Sequence, residues 1–512
     1  MFVGVAGLWL VLWSVAAWDG QVLTGDEVIL LSVSESLVEQ GRLGAPIFAG
    51  VYGAGEHYFM SPPLEHVMHW PLMRAFGVAV WNGRLVSLVA GLWIVVGSSV
   101  LVYRAAGGLA AALVSLLLVS WRTGLVGTGW GIPLVSLSRS IRYDVLVVGW
   151  VVAGLLALEW WLRTGRRGAA AVLGLSSAAA LLTHWVGLVL PAAAVASWLL
   201  TRGRERPAAR SAVAAAAWMV AGLTPWLVHA LLYVPDVIGQ WTLVHGWRAE
   251  AAIGAVGSVV GNLVREPLRY RGVLEAGGPG AAALALAVLA AVRLNVWVPS
   301  RNRGVVAVVQ GVLIGSLAIL APFEPTKSPV YGLVLVVPLT MAAAVAASAL
   351  IRGGNRAVRL WIALPIVVLT VEGVIATVRD VRATRSSTPY EEVAATLAQA
   401  MPDGAATGPQ RWWWSLRDKG YVPMATLSLR WEAARRHTPD TTFVDVWRAA
   451  GIRHVVWSDE QEADQARWPP AVREFLERVR TCGASLLRIT DRTYGALEVI
   501  GVPTSCAAPA DD

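Results

Sequence analysis

The chain of 512 residues is 56% hydrophobic and 15% charged, with 26 Trp, two Cys and a formal net charge of +8. A soluble globular protein carries about 25% charged and about 45–50% apolar residues, so a string of water-soluble domains is excluded, as are a disordered chain, a collagenous rod and a disulfide scaffold. In so apolar a chain the surplus of 42 Lys and Arg over 34 Asp and Glu points to membrane orientation, and no basic, aromatic-lined polar stretch points to nucleic acid.

About 20 helical residues cross the hydrocarbon core of a bilayer. Apolar blocks near that length predict eleven spans, at 2–18, 84–103, 106–121, 145–162, 169–184, 185–201, 211–232, 279–298, 304–322, 330–350 and 358–378. Block 106–121 is short, and block 279–298 carries Arg293 and Asn295. A half-apolar stretch, 123–137, holds Gly124, Gly127, Gly129, Gly131 and Pro133 and reads as a surface or re-entrant segment. Residues 1–378 thus form an α-helical polytopic membrane domain whose first outer loop is 19–82.

Loops on the cytoplasmic side of a membrane collect Lys and Arg. With the N-terminus inside, the inner loops hold Arg104; Arg163, Arg166 and Arg167; Arg202, Arg204, Arg206 and Arg210; Arg293, Arg301 and Arg303; and Arg352, Arg356 and Arg359, with Glu205 as their acid. The loop 19–82 sets Asp19, Asp26, Glu27, Glu35, Glu39, Glu56 and Glu65 against Arg42 and Arg74. An odd number of spans, N-terminus cytoplasmic and C-terminus outside, satisfies every inner loop. A cleaved signal peptide is the alternative for 1–18, which lacks the basic n-region such a peptide carries.

From about residue 379 charged residues become frequent, and Pro389, Pro402, Pro409 and Pro423 punctuate the chain. The run His454-Val455-Val456-Trp457 has strand character, and 379–512 is long enough for one extracytoplasmic α/β domain. In that compartment Cys482 and Cys506 either pair or remain thiols. The run Trp412-Trp413-Trp414 suits sugar stacking, interfacial insertion or plain packing.

Polar residues held against a membrane are costly and tend to be functional. Asp26 and Glu27 follow the first span and begin an apolar helical run, a position that capping and the helix dipole also favour. The segment from Glu56 to His66 includes His57, Tyr58 and Ser61 before Pro62-Pro63, which fix an extended entry and a helix start. Glu65, His66 and His69 fall on one helical face, a donor set of the kind that ligates a divalent cation, although no HExxH or paired CxxC accompanies them. Arg139 and Arg142 flank the mouth of the fourth span beside Asp144, as an anion site, an ion pair or snorkelling anchors.

These features resemble the GT-C class of membrane glycosyltransferases, in particular the ArnT and protein O-mannosyltransferase-like (family 39-like) group that uses polyprenyl-phosphate sugars. The resemblance rests on six elements in order: Asp26-Glu27; Ser61-Pro62-Pro63-Leu64 with Phe76-Gly77 and Arg84-Leu85; Arg142-Tyr143-Asp144; Leu182-Thr183-His184 leading to Pro191; Pro225-Trp226 with Pro235-Asp236; and Lys327-Ser328-Pro329-Val330-Tyr331. It covers about residues 20–340. It implies a GT-C fold, a polyprenyl-phosphate sugar donor, a membrane-lipid environment and no nucleic acid partner. It also implies Asp26 as the catalytic carboxylate that orients or deprotonates the acceptor, with Glu27 beside it and Asp144 as a second carboxylate. A general base must lie within hydrogen-bond reach of the proton it takes, and a phosphate leaving group needs fixed cations. Lys327, Arg142, Arg139 and Arg248, with Tyr331, are the implied donor-phosphate residues, and His57, Tyr58, Ser61, His184 and His245 line the same cavity. No obligatory cofactor follows, and room for a divalent cation remains. Ser61 stands where many relatives have Lys or His, and His184 where they have Lys, so the other basic residues carry more of the charge. His184 also suits an ordinary interhelical hydrogen bond.

A secondary transporter is the alternative from another class, but such folds carry inverted repeats and charged, broken helices at mid-membrane. Here the span centres are nearly free of charge, with Glu372 the exception.

Overall fold

The structure is a computed structural model that describes residues 2–18, 21–123, 132–201, 207–254, 256–271, 278–298, 302–401, 404–465 and 468–507. The glycines 124–131 of the expected re-entrant stretch lie outside the described residues, as do Asp19, Arg202, Arg204, Glu205, Arg206 and Arg301. Of that stretch the structure describes a short helix, Pro133–Ser138.

Among the described residues, six helices are long and apolar enough to cross a membrane: Val80–Ala106, Tyr143–Thr164, Ala209–Leu232, Arg303–Phe323, Pro329–Gly353 and the apolar part of Arg356–Gln399. Five shorter apolar helices join them, at Val3–Ala17, Gly108–Ser120, Arg167–Thr183, Trp185–Leu200 and Ala282–Val292. Together they fall on the eleven apolar blocks of the sequence, and the chain is a multi-pass membrane protein. The helices pack by close approach of small residues, the usual device where lipid removes the hydrophobic drive for association. Arg303–Phe323 lies along Val189–Leu200. A side chain at Gly315 would come within 2.6 Å of the Ala193 backbone nitrogen, and one at Gly311 would strike Ser197.

The first loop and the C-terminal region fold against one another. In the loop after the first span, helix Gly25–Gln40 starts with a capping box in which Thr24 and Glu27 bond reciprocally. The second loop helix, Leu64–Phe76, packs against it. The C-terminal region carries a five-stranded sheet: β1 (Ala405–Gly408), β2 (Val422–Pro423), β3 (Ile452–Ser458), β4 (Ala484–Asp491) and β5 (Gly495–Gly501). Its order is β2-β1-β3-β5-β4. β1 runs parallel to β2 and β3, whereas β5 is antiparallel to β3 and β4. Strand β3 carries the run His454-Val455-Val456-Trp457, buried throughout because it lies mid-sheet. Cys482 and Cys506 form a disulfide with Cα atoms 6.0 Å apart.

One apolar core welds the first loop to this domain, since Leu31, Phe48 and Tyr58 share a cluster with Trp412, Trp413, Trp414 and Leu497. The three tryptophans are therefore packing residues in the first instance, with Trp412 stacked on Tyr390 at 5.3 Å between ring centroids.

Candidate active site

Two adjacent carboxylates open helix Gly25–Gln40, and helical geometry sends them in different directions, since successive residues point about 100° apart. Glu27 turns inward and is fully buried. Its Oε1 accepts from Arg84 Nε and from the Ile141 backbone N–H, both at 3.1 Å. Its Oε2 accepts from the Thr24 N–H at 3.0 Å. The carboxylate thereby ties the first loop to helix Val80–Ala106 and to the entrance of helix Tyr143–Thr164.

Asp26 turns outward, and its side chain keeps 53% of its exposure. Its Oδ2 accepts from Arg142 Nη1 at 2.6 Å. The same guanidinium grips Asp144 through Nε at 2.9 Å and Nη2 at 2.8 Å, and the Asp144 side chain is only 2% exposed. Arg142 thus bridges one open and one closed carboxylate. Burial works against its charge, but Asp144 and Asp26 more than offset this and hold it protonated above the usual guanidinium range. Asp144 Oδ1 has no hydrogen-bond partner among the described residues. A buried carboxylate oxygen beside an exposed carboxylate can accept a hydrogen bond from a hydroxyl donor.

Aromatic and basic residues from later helices gather on this triad. Tyr143 stacks on His184 at 4.4 Å between centroids with the rings 6° apart, and His184 lies 5.3 Å from Tyr331. His184 Nδ1 accepts the Val186 N–H at 3.3 Å, capping the turn after helix Arg167–Thr183. Arg248 and His245 are close enough to interact electrostatically with His184, and Arg248 with Tyr331. The His245 ring is fixed by a 2.7 Å bond to the Met60 carbonyl, and burial, with a smaller effect of Arg248, lowers its pKa. Segments far apart in sequence therefore converge on Arg142 and Asp144.

Other expected residues sit elsewhere. Arg139 pairs with Asp380 of the last apolar helix. Lys327, a non-glycine residue at φ +52°, donates to the Ala321 carbonyl at 2.6 Å and pairs with Glu266 at 3.1 Å. Arg269, its side chain fully buried, completes that network through Glu266 at 2.8 Å and Glu324 at 3.1 Å. Two bases and two acids neutralise one another there. Burial pulls the Lys327 pKa down, and the pair with Glu266 works against that. His57 bonds Asp236 at 3.2 Å and stacks on Tyr233 at 3.6 Å. Tyr58 is buried against Phe48, and Ser61 Oγ lies 3.5 Å from His66 Nε2. Gln240 links these loop residues to helix Val234–Ile253 by accepting from the Phe59 N–H at 2.7 Å. Glu372, which has no evident partner in the sequence, pairs with Arg122 at 3.6 Å.

Glu65, His66 and His69 share a face as their spacing requires, but His66 and His69 turn to Ser34 Oγ, at 3.4 and 3.0 Å. Among the described residues no three His, Cys, Asp or Glu side chains gather as a metal ion would need. Glu65 is instead a buried carboxyl that senses Asp144, Arg142 and Asp26. Burial, reinforced by Asp144, holds its pKa well above the usual carboxylate range. The sequence marks it as acidic and next to the diproline, but nothing local shows that it faces the triad.

No protein-family model matches the chain, and no curated protein matches it in sequence. Solved structures match it in fold. The Archaeoglobus fulgidus oligosaccharyltransferase in complex with zinc and sulfate superposes over 97% of this chain and 73% of its own, with a TM-score of 0.60 and 12% identity. The same organism's oligosaccharyltransferase AglB, in complex with an inhibitory peptide and a dolichol-phosphate, gives a TM-score of 0.55 at 10% identity, covering 98% of this chain and 74% of that one. ArnT from Cupriavidus metallidurans bound to undecaprenyl phosphate aligns over 99% and 98% of the two chains at 17% identity, with a TM-score of 0.46 too low to support an argument. The chain has the GT-C fold of membrane glycosyltransferases. At these identities the likeness speaks for the fold alone.

Proposed function

We propose that the protein transfers a sugar from a polyprenyl-phosphate donor to an acceptor at the outer face of the cytoplasmic membrane. The observation that carries this reading is the bridge Asp26–Arg142–Asp144, with its open carboxylate at the start of the helix that follows the first apolar segment. A polyprenyl-phosphate donor keeps its isoprenoid chain in the bilayer and its phosphate at the interface, where these groups lie in the orientation set by the inner-loop arginines.

In this mechanism Asp26 accepts the proton of the acceptor nucleophile as it attacks the anomeric carbon. The C–O bond to phosphate breaks, and the leaving phosphate takes the electron pair. Arg142 and Arg248 stabilise that charge from fixed positions, where preorganised cations act most strongly. Asp144 positions Arg142 and offers its open Oδ1 to a sugar hydroxyl, while Tyr143, His184 and Tyr331 wall the sugar. Glu27 holds the Asp26 helix to the bundle. Lys327 sits in the neighbouring neutral network, so its part in donor binding is to place Tyr331. The archaeal oligosaccharyltransferase AglB, which shares the fold, was solved with a dolichol-phosphate bound, and this supports a lipid-phosphate partner here.

The test is transfer of a radiolabelled sugar from a polyprenyl phosphate in membranes carrying Asp26→Asn. Transfer is expected to vanish with the protein intact, and full activity with a competent donor would sink the assignment. Lys327→Ala should raise the KM for donor and leave that for acceptor; an unchanged donor KM would reduce Lys327 to a structural anchor.

A further inference from the structure

A cavity of about 280 Å³ lies in the C-terminal domain. Its walls come from the segments that follow β1 and β3 and from the turn joining β4 to β5. Arg411 and Trp412 follow β1, Ser458 ends β3 and leads into Asp459 and Glu460, and Tyr494 and Gly495 form the turn. Strands β1 and β3 are parallel neighbours, yet the chain leaves β1 for β2 on the far side before returning to β3. In open sheets of this kind ligands bind beyond the carboxyl ends of the strands at the point where the connections diverge. The cavity occupies that point.

Its polar groups are unfinished. The Trp412 Nε1–H and the Tyr494 hydroxyl have no hydrogen-bond partner among the described residues, although the two side chains are only 1% and 8% exposed. Buried donors of this kind are normally satisfied, and both residues line the cavity. Opposite them, Arg411 pairs with Glu460 at 2.6 Å, and Asp459 Oδ2 accepts the Ala496 N–H at 3.1 Å. Gly495 is required here, because its φ is +74° and a side chain would strike the Asp459 carboxylate. The turn is thus drawn down onto the acid.

We propose that this cavity binds a neutral saccharide ring belonging to the acceptor. Small-molecule sites run from about 300 Å³ upward, so the space suits one small ring and excludes a folded peptide or an acyl chain. Two carboxylates face a single guanidinium that is already paired, which opposes a phosphate or a uronate. Indole N–H, phenol, guanidinium and carboxylates together supply the mixed donors and acceptors that a ring of hydroxyls needs. The placement fits an acceptor. The turn Gln410–Trp412 touches the Asp26 helix with its first residue, whose Nε2 donates to the Gly25 carbonyl at 3.3 Å, and lines the cavity with the next two. A glycan held there would lead toward the nucleophile's position at Asp26. That the ring belongs to an acceptor rests on the glycosyl-transfer reading; that the cavity takes a neutral sugar does not.

The test is saturation-transfer NMR on the full chain in detergent micelles. The probes are methyl α-mannopyranoside, methyl β-glucopyranoside and methyl α-arabinofuranoside, with glucuronate and inorganic phosphate as anionic controls. At least one neutral glycoside should receive saturation, and Glu460→Gln and Tyr494→Phe should each weaken it about tenfold, as loss of a hydrogen bond to a charged or buried partner does. Tyr494→Phe keeps the ring that packs on Trp412, so it separates binding from folding. In transfer assays the same variants should raise the acceptor KM and leave the donor KM unchanged. Absence of glycoside binding, binding indifferent to both substitutions, or preferential binding of glucuronate or phosphate would overturn the site. If glycosides bind as expected while Asp26→Asn still transfers sugar, the transfer mechanism fails and the site stands. If Asp26-dependent transfer persists without glycoside binding, the site alone fails.

Discussion

Exchanging each of the neighbours Asp26 and Glu27 for its amide should separate catalysis from stability. Glu27→Gln keeps the volume but removes a charge bonded to Arg84, the Ile141 N–H and the Thr24 N–H. The amide nitrogen that replaces one oxygen meets N–H donors. Breaking a buried ion pair by neutralising one partner costs about 3–5 kcal/mol. Arg84 retains the Trp18 carbonyl at 2.8 Å and the Gln21 carbonyl at 3.4 Å, which places the loss near the lower end, about 3 kcal/mol. That is a large share of a typical total of about 5–15 kcal/mol. Asp26 loses only a half-exposed pair, worth about 0–1 kcal/mol, while a general base contributes about 10²–10⁴-fold to rate. Thermal unfolding in detergent, read by Trp fluorescence, should show a lowered melting temperature for Glu27→Gln and none for Asp26→Asn. Transfer from a polyprenyl-phosphate sugar at a temperature where both are folded should show the reverse order. Equal melting temperatures for the two variants, or a greater transfer defect in Glu27→Gln, would refute the division of roles.

Arg142→Gln strands the buried Asp144 carboxylate and should cost about 3–5 kcal/mol in unfolding measurements, with Arg142→Gln/Asp144→Asn recovering most of that loss. Glu65 binds its proton more tightly folded than unfolded, so its contribution to stability is full below its unfolded pKa of about 4.5 and is lost as pH rises toward the folded value. Glu65→Gln should therefore flatten the fall in stability as pH rises above about 4.5, measured by denaturant unfolding. His66 and His69 act in the opposite sense. Burial lowers them to about 4 and about 3, so the stability that they contribute above their unfolded pKa of about 6.5 is lost as pH falls through those values. The disulfide closes a loop across a sequence separation of 24, and Cys482→Ser/Cys506→Ser should cost about 3.5 kcal/mol by the loop-entropy relation, read as a lower midpoint in chemical denaturation.

The bundle was legible because a lipid-facing helix must be apolar over its whole length, a constraint each segment meets within its own residues. The block 106–121 illustrates it, for the short apolar helix Gly108–Ser120 occupies it. The site was only partly legible. Asp26 and Glu27 look equivalent in the sequence, and Arg84, 57 residues beyond Glu27, decides which of them is buried. Lys327 looks like a cation free for a donor phosphate, and Glu266 takes that freedom away. The spacing of Glu65, His66 and His69 does give one face, but Ser34 and the triad divide that face between them. The cavity beside Trp412 has no local signal, since it exists only because β1 and β3 lie side by side.

By itself the sequence determined the membrane class, the eleven apolar blocks, the sheet-bearing C-terminal region and the family resemblance, because hydropathy, periodicity and ordered motifs are properties of neighbouring residues. The tertiary structure alone decided which acid meets Arg142, which base is neutralised by Glu266 and which tryptophan edge faces a cavity. The contacts of Arg142 with Asp26 and of Glu266 with Lys327 join residues far apart in the chain, and the energy of a buried charge is set by its partners and by the water excluded around it.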